Sequence, residues 1–437
     1  EQLFGPVWYS FDNGGVHFVV IPVLYGDRKP SFSADDLYLW LKKDLDAIPK
    51  GMPVILFNHH FTGYESDFLL KGDSVEINLL DYNLKAYFYD HYHVNLMEHS
   101  QHTGVTTIAT MSPNKGGIDH TPSSFRVVSF DRDGNLNSNI RYASLKGHLA
   151  ATLYEESSSY QIVANLFDTR ADARMVTVQW QGSEYPLQKV SDWSWRASLP
   201  TDKLQPAQEG GRGAVVTARF TNGAVVKSLV RDYSDIGAAY MGPKSIEAPK
   251  VKWVASLGNH IFMTSPIVTE GLVITATFDD NGKGGSAIHA LSATNGKPVW
   301  RLPVINSIKN NMALWEGTLL ACDVLGNLYA VEVATGELLW SRALRGKRLH
   351  PIYTQGVTVH NGVVYAGHGD YLTALNIESG EILWKNSAWS GGVCTVASPV
   401  VEPQSGQGMP DCNNARWLSR SLMRASCSQM ILTSASC

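Results

Sequence analysis

Four histidines close two apolar runs. Val54-Ile55-Leu56-Phe57 leads into Asn58-His59-His60, and Ala86-Tyr87-Phe88-Tyr89 leads into Asp90-His91-Tyr92-His93. Imidazole is the commonest nitrogen ligand for a borderline divalent ion, and ligands of an open α/β sheet gather at the carboxyl ends of its strands. On an extended segment His91 and His93 would point to one side, whereas His59 and His60 would point to opposite faces and compete for one role. Taken singly, each reads as a hydrogen-bonded histidine at a strand end. Taken together at two neighbouring strand ends, His91, His93 and one of His59 and His60 have the residue types and placement of metal chemistry. His17, His99, His102 and His120 read as polar surface or loop residues.

The elements that would position them follow from periodicity. Val16, Phe18 and Val20 alternate after the turn Asp12-Asn13-Gly14-Gly15, which predicts a hairpin. Leu37, Trp40, Leu41, Leu45 and Ile48 recur at helical spacing behind Ser33 as cap, with Asp35 and Asp36 at the amino end and Pro49-Lys50-Gly51 as the stop. The strand Pro53 to Phe57 then completes a β-α-β unit. A second helix is expected over about Asp73 to Asn83, feeding the strand that ends at His91. Val105 to Thr110 and a hairpin around Asp131-Arg132-Asp133-Gly134-Asn135 would close this part, residues 1–145.

The arrangement resembles the last two metal-binding motifs of the calcineurin-like metallophosphoesterases, H-x-P and G-H-x-H. They appear here as His59-His60-Phe61 and Asp90-His91-Tyr92-His93, with Phe61 in place of Pro and Asp90 in place of Gly. The likeness runs from Phe4-Gly5-Pro6 and Tyr9-Ser10-Phe11 to about Tyr142, including Gly116-Gly117-Ile118-Asp119 and Phe125-Arg126-Val127-Val128. It implies two divalent ions (Mn, Fe or Zn) that activate water against a phosphate mono- or diester, with His59 and His91 on one ion and His93 on the other. The family's carboxylate, Asn and acid-catalyst His motifs would precede Glu1. The chain therefore reads as a truncated and inactive piece of a hydrolase.

Beyond about Lys146 helical patterns give way to short alternating runs: Ala151 to Tyr154, Gln161 to Leu166, Met175 to Trp180, Trp193 to Leu199, Ala214 to Phe220 and Val225 to Val230. These predict an immunoglobulin-like β-sandwich over 146–234 and a linker over 235–250. A repeat follows. Ile288 to Trp300, Leu328 to Trp340 and Leu372 to Trp384 each carry Ala ten residues before Trp and Gly four before it. Strand, Gly turn and strand ending in an indole make the edge of a propeller blade. The copies resemble the quinoprotein-type (PQQ) repeat, also used by the outer-membrane-assembly lipoprotein propellers. An incomplete β-propeller is expected over 251–402, with Trp300, Trp340 and Trp384 as blade packing and no quinone cofactor implied. Residues 403–437, biased toward Ser, Arg and Cys, read as an irregular, out-of-frame tail.

The expected fold class is thus α/β, a partial metallophosphoesterase sandwich, joined to all-β modules. A net charge of −4 over 437 residues does not favour a nucleic-acid surface. No apolar run reaches the roughly 18 residues of a spanning helix. Five cysteines show no C-x-x-C spacing, so neither a zinc ribbon nor a disulfide framework is indicated. The functional expectation is a phosphate-ester hydrolase of the bacterial envelope, periplasmic or extracellular, whose signal peptide lies upstream. The alternatives are a non-catalytic propeller that binds protein partners for envelope assembly, and a quinone-dependent dehydrogenase.

Overall fold

The computed structural model describes residues 5–24, 30–61, 68–111, 113–114, 116–117, 121–156, 159–200, 213–231, 252–261, 264–344, 354–368, 371–387, 399–401 and 430–432. The expected linker, Ile118-Asp119 and most of the expected tail lie outside these residues.

Strands β1 (Tyr9–Asn13) and β2 (Val16–Val20) form the expected hairpin. Helix α1 (Ala34–Ala47) follows, closed at its start by a capping box: Ser33 Oγ accepts from Asp36 N at 3.1 Å and Asp36 accepts from Ser33 N at 2.8 Å. Strands β3 (Val54–Phe57), β4 (Leu69–Lys71), β5 (Glu76–Asn78), β6 (Leu84–Tyr89), β7 (Leu96–His99) and β8 (Thr106–Ala109) come next. Six of these strands make one sheet in the order β1-β2-β3-β6-β8-β7, parallel from β2 to β8 and antiparallel at both edges.

Alternation along the central strands sends Val19, Leu56, Tyr87 and Tyr89 into a core with Leu37, Tyr38, Leu41 and Leu45 of α1. Val16, Ile55, Ala86, Phe88 and Ile108 go to the other face, where the hairpin of β9 (Ser124–Phe130) and β10 (Leu136–Tyr142) covers them with Val128, Phe130 and Leu136.

Two expectations change here. The helix expected over Asp73 to Asn83 is instead β5 and a 3-10 turn, Leu79–Asp81. Val75, Ile77 and Leu79 recur at a period of two, and the Asp35 carboxylate accepts from Ser74 N and Val75 N, fixing a hairpin turn. Among the described residues α1 is the only α-helix, and a hairpin covers the sheet's second face. The described residues are therefore mostly β, and they show no α/β sandwich.

Strands β11 (His148–Glu156), β12 (Ser159–Phe167), β13 (Ala173–Trp180), β14 (Ser183–Pro186), β15 (Gln188–Lys189), β16 (Ser194–Pro200), β17 (Val215–Phe220) and β18 (Val225–Arg231) form one sheet, ordered β14-β13-β17-β18-β11-β12-β16-β15. The short runs expected as strands are strands. Two antiparallel halves are joined by the parallel pair β11 and β18, and they share a core of Ile162, Val178, Trp180, Leu199 and Val216. The sheet thus curls into a nearly closed barrel.

Three four-stranded antiparallel meanders follow, with the geometry of propeller blades. They are β19 (Ile267–Thr269), β20 (Leu272–Thr277), β21 (Ala287–Ser292) and β22 (Pro298–Pro303); β23 (Ala313–Trp315), β24 (Thr318–Cys322), β25 (Asn327–Glu332) and β26 (Leu338–Ala343); and β27 (Thr354–His360), β28 (Val363–His368), β29 (Tyr371–Asn376) and β30 (Ile382–Asn386). One apolar core joins the first blade to the second, and another joins the second to the third. No helix among the described residues is long and apolar enough to cross a membrane.

Candidate functional site

The blade repeat explains its own residues. Trp300 and Trp340 leave the outer strands of their blades and donate to a carbonyl of the next, Trp300 Nε1 to Val333 O at 2.8 Å and Trp340 Nε1 to Ile377 O at 2.7 Å, and Trp253, ahead of the first blade, makes the same bond to Ala293 O at 3.1 Å. The turn glycine of the receiving blade lies beneath the ring. Gly296, Gly336 and Gly380 have φ of +70°, +75° and +64°, and a Cβ on them would meet Trp253, Trp300 and Trp340 at 2.4, 2.5 and 2.6 Å. The glycines serve both a left-handed turn and a ring that leaves no room for a methyl. Trp300 and Trp340 are therefore blade-packing residues.

The outer strand of every blade carries the same irregularity. Ala290 pairs with Trp300 but Leu291 with Pro298, so Val299 is an extra, bulged residue; Leu339 and Leu383 are its counterparts. A bulge re-aims side chains and interrupts a ladder that would otherwise pair with any strand. Val299, Leu339 and Leu383 are 51%, 50% and 50% exposed, and Leu338 and Ile382 beside them are also exposed. The rim thus presents at least one outward apolar side chain on each described blade.

At the inner end of the blades, turns anchored by aspartate face the N-terminal sheet. Asp279 accepts from Asn281 N, Lys283 N and Gly285 N, and Asp323 accepts from Leu325 N and Asn327 N. These turns carry the interface: Lys309 Nζ donates to Asp280 Oδ2 and to Asn95 O, both at 2.8 Å, Arg126 Nη1 donates to Asp280 O at 2.8 Å, and Asn306 Nδ2 donates to Met97 O at 3.0 Å. Leu325 joins the core of the N-terminal sheet. Burial pushes the Asp323 carboxyl up, against its hydrogen bonds. Sequence reading missed this interface. The available signal was the recurrence Asp279-Asp280-Asn281-Gly282 and Asp323-Val324-Leu325-Gly326 after the second strand of two blades.

The histidines lie at the carboxyl ends of β3 and β6, as expected. His59 Nε2 and His91 Nδ1 are 3.4 Å apart, while His60, its ring centroid 4.7 Å from that of His91, meets the Tyr92 hydroxyl at 2.9 Å. The segment carrying His91 and His93 is not extended: their φ values are +68° and +51°. Desolvation first, then the neighbouring His59 and His93, lowers the pKa of His91, with Asp90 opposing. No three His, Cys, Asp or Glu side chains among the described residues form a group that could hold a metal ion. Two facing imidazoles with no converging carboxylate among the described residues do not fit a two-ion hydrolytic centre.

Comparison with known proteins bears on the propeller. Residues 247–345 and 283–409 match the family model of the outer membrane protein assembly factor BamB. The BamB of Legionella pneumophila is 29% identical over 147 residues, 33% of this chain and 34% of that protein. The BamB of Yersinia pestis is 31% identical over 142 residues, 29% of this chain and 34% of that protein. Quinohemoprotein alcohol dehydrogenase ADH-IIG of Pseudomonas putida is 27% identical over 166 residues, 33% of this chain and 21% of that protein. The BamB structure from Moraxella catarrhalis aligns with 61% of this chain and 71% of its own at 18% identity, with a TM-score of 0.24, too loose a superposition to add weight. The chain spans between a fifth and about a third of the length of these curated relatives.

The C-terminal part is thus a PQQ-repeat, BamB-like β-propeller. The hydrolase expectation is overturned. The matching family and relatives are assembly factors, a quinoprotein and a tetrathionate hydrolase, none of them a metallophosphoesterase or phosphatase, and the histidines gather no third metal ligand among the described residues.

Proposed function

We propose that this chain is a propeller scaffold of the bacterial envelope that binds protein partners in outer-membrane protein assembly. The observation that carries it is the match of residues 247–409 to an outer-membrane assembly factor. The bulged rim gives that reading a surface. Val299, Leu339 and Leu383 offer evenly repeated apolar contacts, and outer-membrane strands carry one apolar face. The inner turns are occupied by the N-terminal sheet, which directs partners to the rim. In the test, the full chain is titrated with an unfolded outer-membrane β-barrel polypeptide, with anisotropy as the readout. Saturable binding is expected. Its absence, beside alcohol oxidation after loading with a quinone, would favour the dehydrogenase instead; no quinone dependence is part of this proposal.

A second reading concerns the histidines. Two nitrogens bound to one tetrahedral ion at about 2.0–2.1 Å lie about 3.3 Å apart, and His59 Nε2 and His91 Nδ1 are 3.4 Å apart. We propose that this pair takes a single divalent ion weakly. Zinc titration by calorimetry should show one weak site that His91→Ala removes; equal uptake by that variant would refute it.

A further inference from the structure

A cavity of about 230 Å³ opens where the end of β10, the barrel loops at 168–173 and 189–193, and the first blade meet. Its floor is aromatic. Trp193 sits 4.5 Å from Phe167, 5.3 Å from Tyr142 and 4.6 Å from His260 between ring centroids, and His260 is 5.4 Å from Phe278. Polar side chains line it as well, among them Asn139, Asp172, Asp192 and Lys283.

Charge decides what such a site can hold. Every carboxylate lining it has a cation: Asp168 with Arg170 at 2.8 Å, Asp172 with Arg141 at 2.9 Å, Asp280 with Lys309 at 2.8 Å, and Asp192 with Lys283 at 3.9 Å. The compensated pairs supply both donors and acceptors without selecting an anion or a cation, and Lys189, a lining cation outside these pairs, adds a further donor. The volume lies below the about 300–1,000 Å³ of drug-sized pockets and suits one six-membered ring with its substituents. A neutral ligand with an apolar face for the indole and a girdle of hydroxyls for the charged pairs is a pyranose sugar.

We propose that this junction is a saccharide subsite, with Trp193 as the stacking platform and Asp192 and Lys283 as hydrogen-bonding partners for ring hydroxyls. It is independent of the rim and of the partner-binding reading. The probes are triacetylchitotriose, an N-acetylated sugar, and maltotriose, a plain glucan, added to the full chain and read by calorimetry and ligand-observed saturation-transfer NMR. Saturable binding of either at about 1 mM or tighter is expected, and the stronger arm identifies the sugar class. Trp193→Ala should weaken it at least tenfold. Because Trp193 also packs on Phe167, the exposed Asp192→Asn is the companion variant, expected to weaken binding severalfold with unchanged thermal unfolding. No binding of either sugar, affinity unchanged in both variants, or preferential binding of tetramethylammonium would overturn the proposal.

Discussion

Replacing Lys309 by Met should separate the N-terminal sheet from the blades. The Lys309 and Asp280 side chains are 4% and 2% exposed and lie 2.8 Å apart. Once the ammonium is gone Asp280 Oδ2 loses its 2.8 Å donor, while Oδ1 keeps the 3.2 Å bond from Ser307 Oγ and the charge of buried Arg126 stays nearby, and the bond from Lys309 to Asn95 O is lost. The pair's own net worth is small, because desolvation offsets its attraction. Removing one partner, however, strands a buried charge at about 3–5 kcal/mol. Lys309→Met combined with Asp280→Asn should recover most of that loss, so the cycle should give a coupling of about 2 kcal/mol or more. Urea unfolding of the full chain measures the stability. Amide exchange at residues 95–99 should quicken in the single variant, since their sheet is held through Asn95 and Met97. A single-variant cost below about 1 kcal/mol, or additive single costs, would refute the reasoning.

Other expectations follow from local geometry. Gly336→Ala forces a Cβ to within 2.5 Å of Trp300 at φ of +75°, and should cost about 2–4 kcal/mol, seen as a lower unfolding midpoint; Gly317→Ala, open to solvent on its Cβ side, should cost only its positive-φ share. Buried His289 is held down to about 4, chiefly by desolvation and then by Arg301. Its unfolded form protonates first, so stability should fall as pH drops from about 6.5 to 4, by about 3 kcal/mol at most, and His289→Gln should flatten that slope by one proton. Asp168, its side chain fully buried, is held down to about 2, first by the Arg170 hydrogen bond. Its stabilisation of about 2 kcal/mol is complete above pH 4 and lost toward pH 2, so Asp168→Asn should matter at pH 7 and not at pH 2.

The blades were legible because Ala, Gly and Trp recur in register, and each has one physical reason to be there: close strand packing, a left-handed turn, and an inter-blade indole. The hairpins and α1 were legible for similar local reasons, Asn13-Gly14 and the Ser33 cap among them. Val75, Ile77 and Leu79 misled because helix and strand periods coincide over so short a run, and a carboxylate 40 residues away, Asp35, decides between them. The histidines misled more seriously. Spacing placed them at neighbouring strand ends, but spacing does not set backbone dihedrals, and at φ of +68° and +51° His91 and His93 are not the extended pair assumed. The Lys309 interface was missed because the recurring aspartate turns mark only its blade side, while its partner Asn95 lies 214 residues from Lys309 in the chain.

The most direct test of the account is the rim. The full chain carrying Val299→Asp, Leu339→Asp and Leu383→Asp should keep its unfolding midpoint, since all three side chains are half exposed, yet bind an unfolded outer-membrane β-barrel polypeptide at least about tenfold more weakly than the unmodified chain. Equal binding by the two proteins would contradict the scaffold reading of the propeller rim.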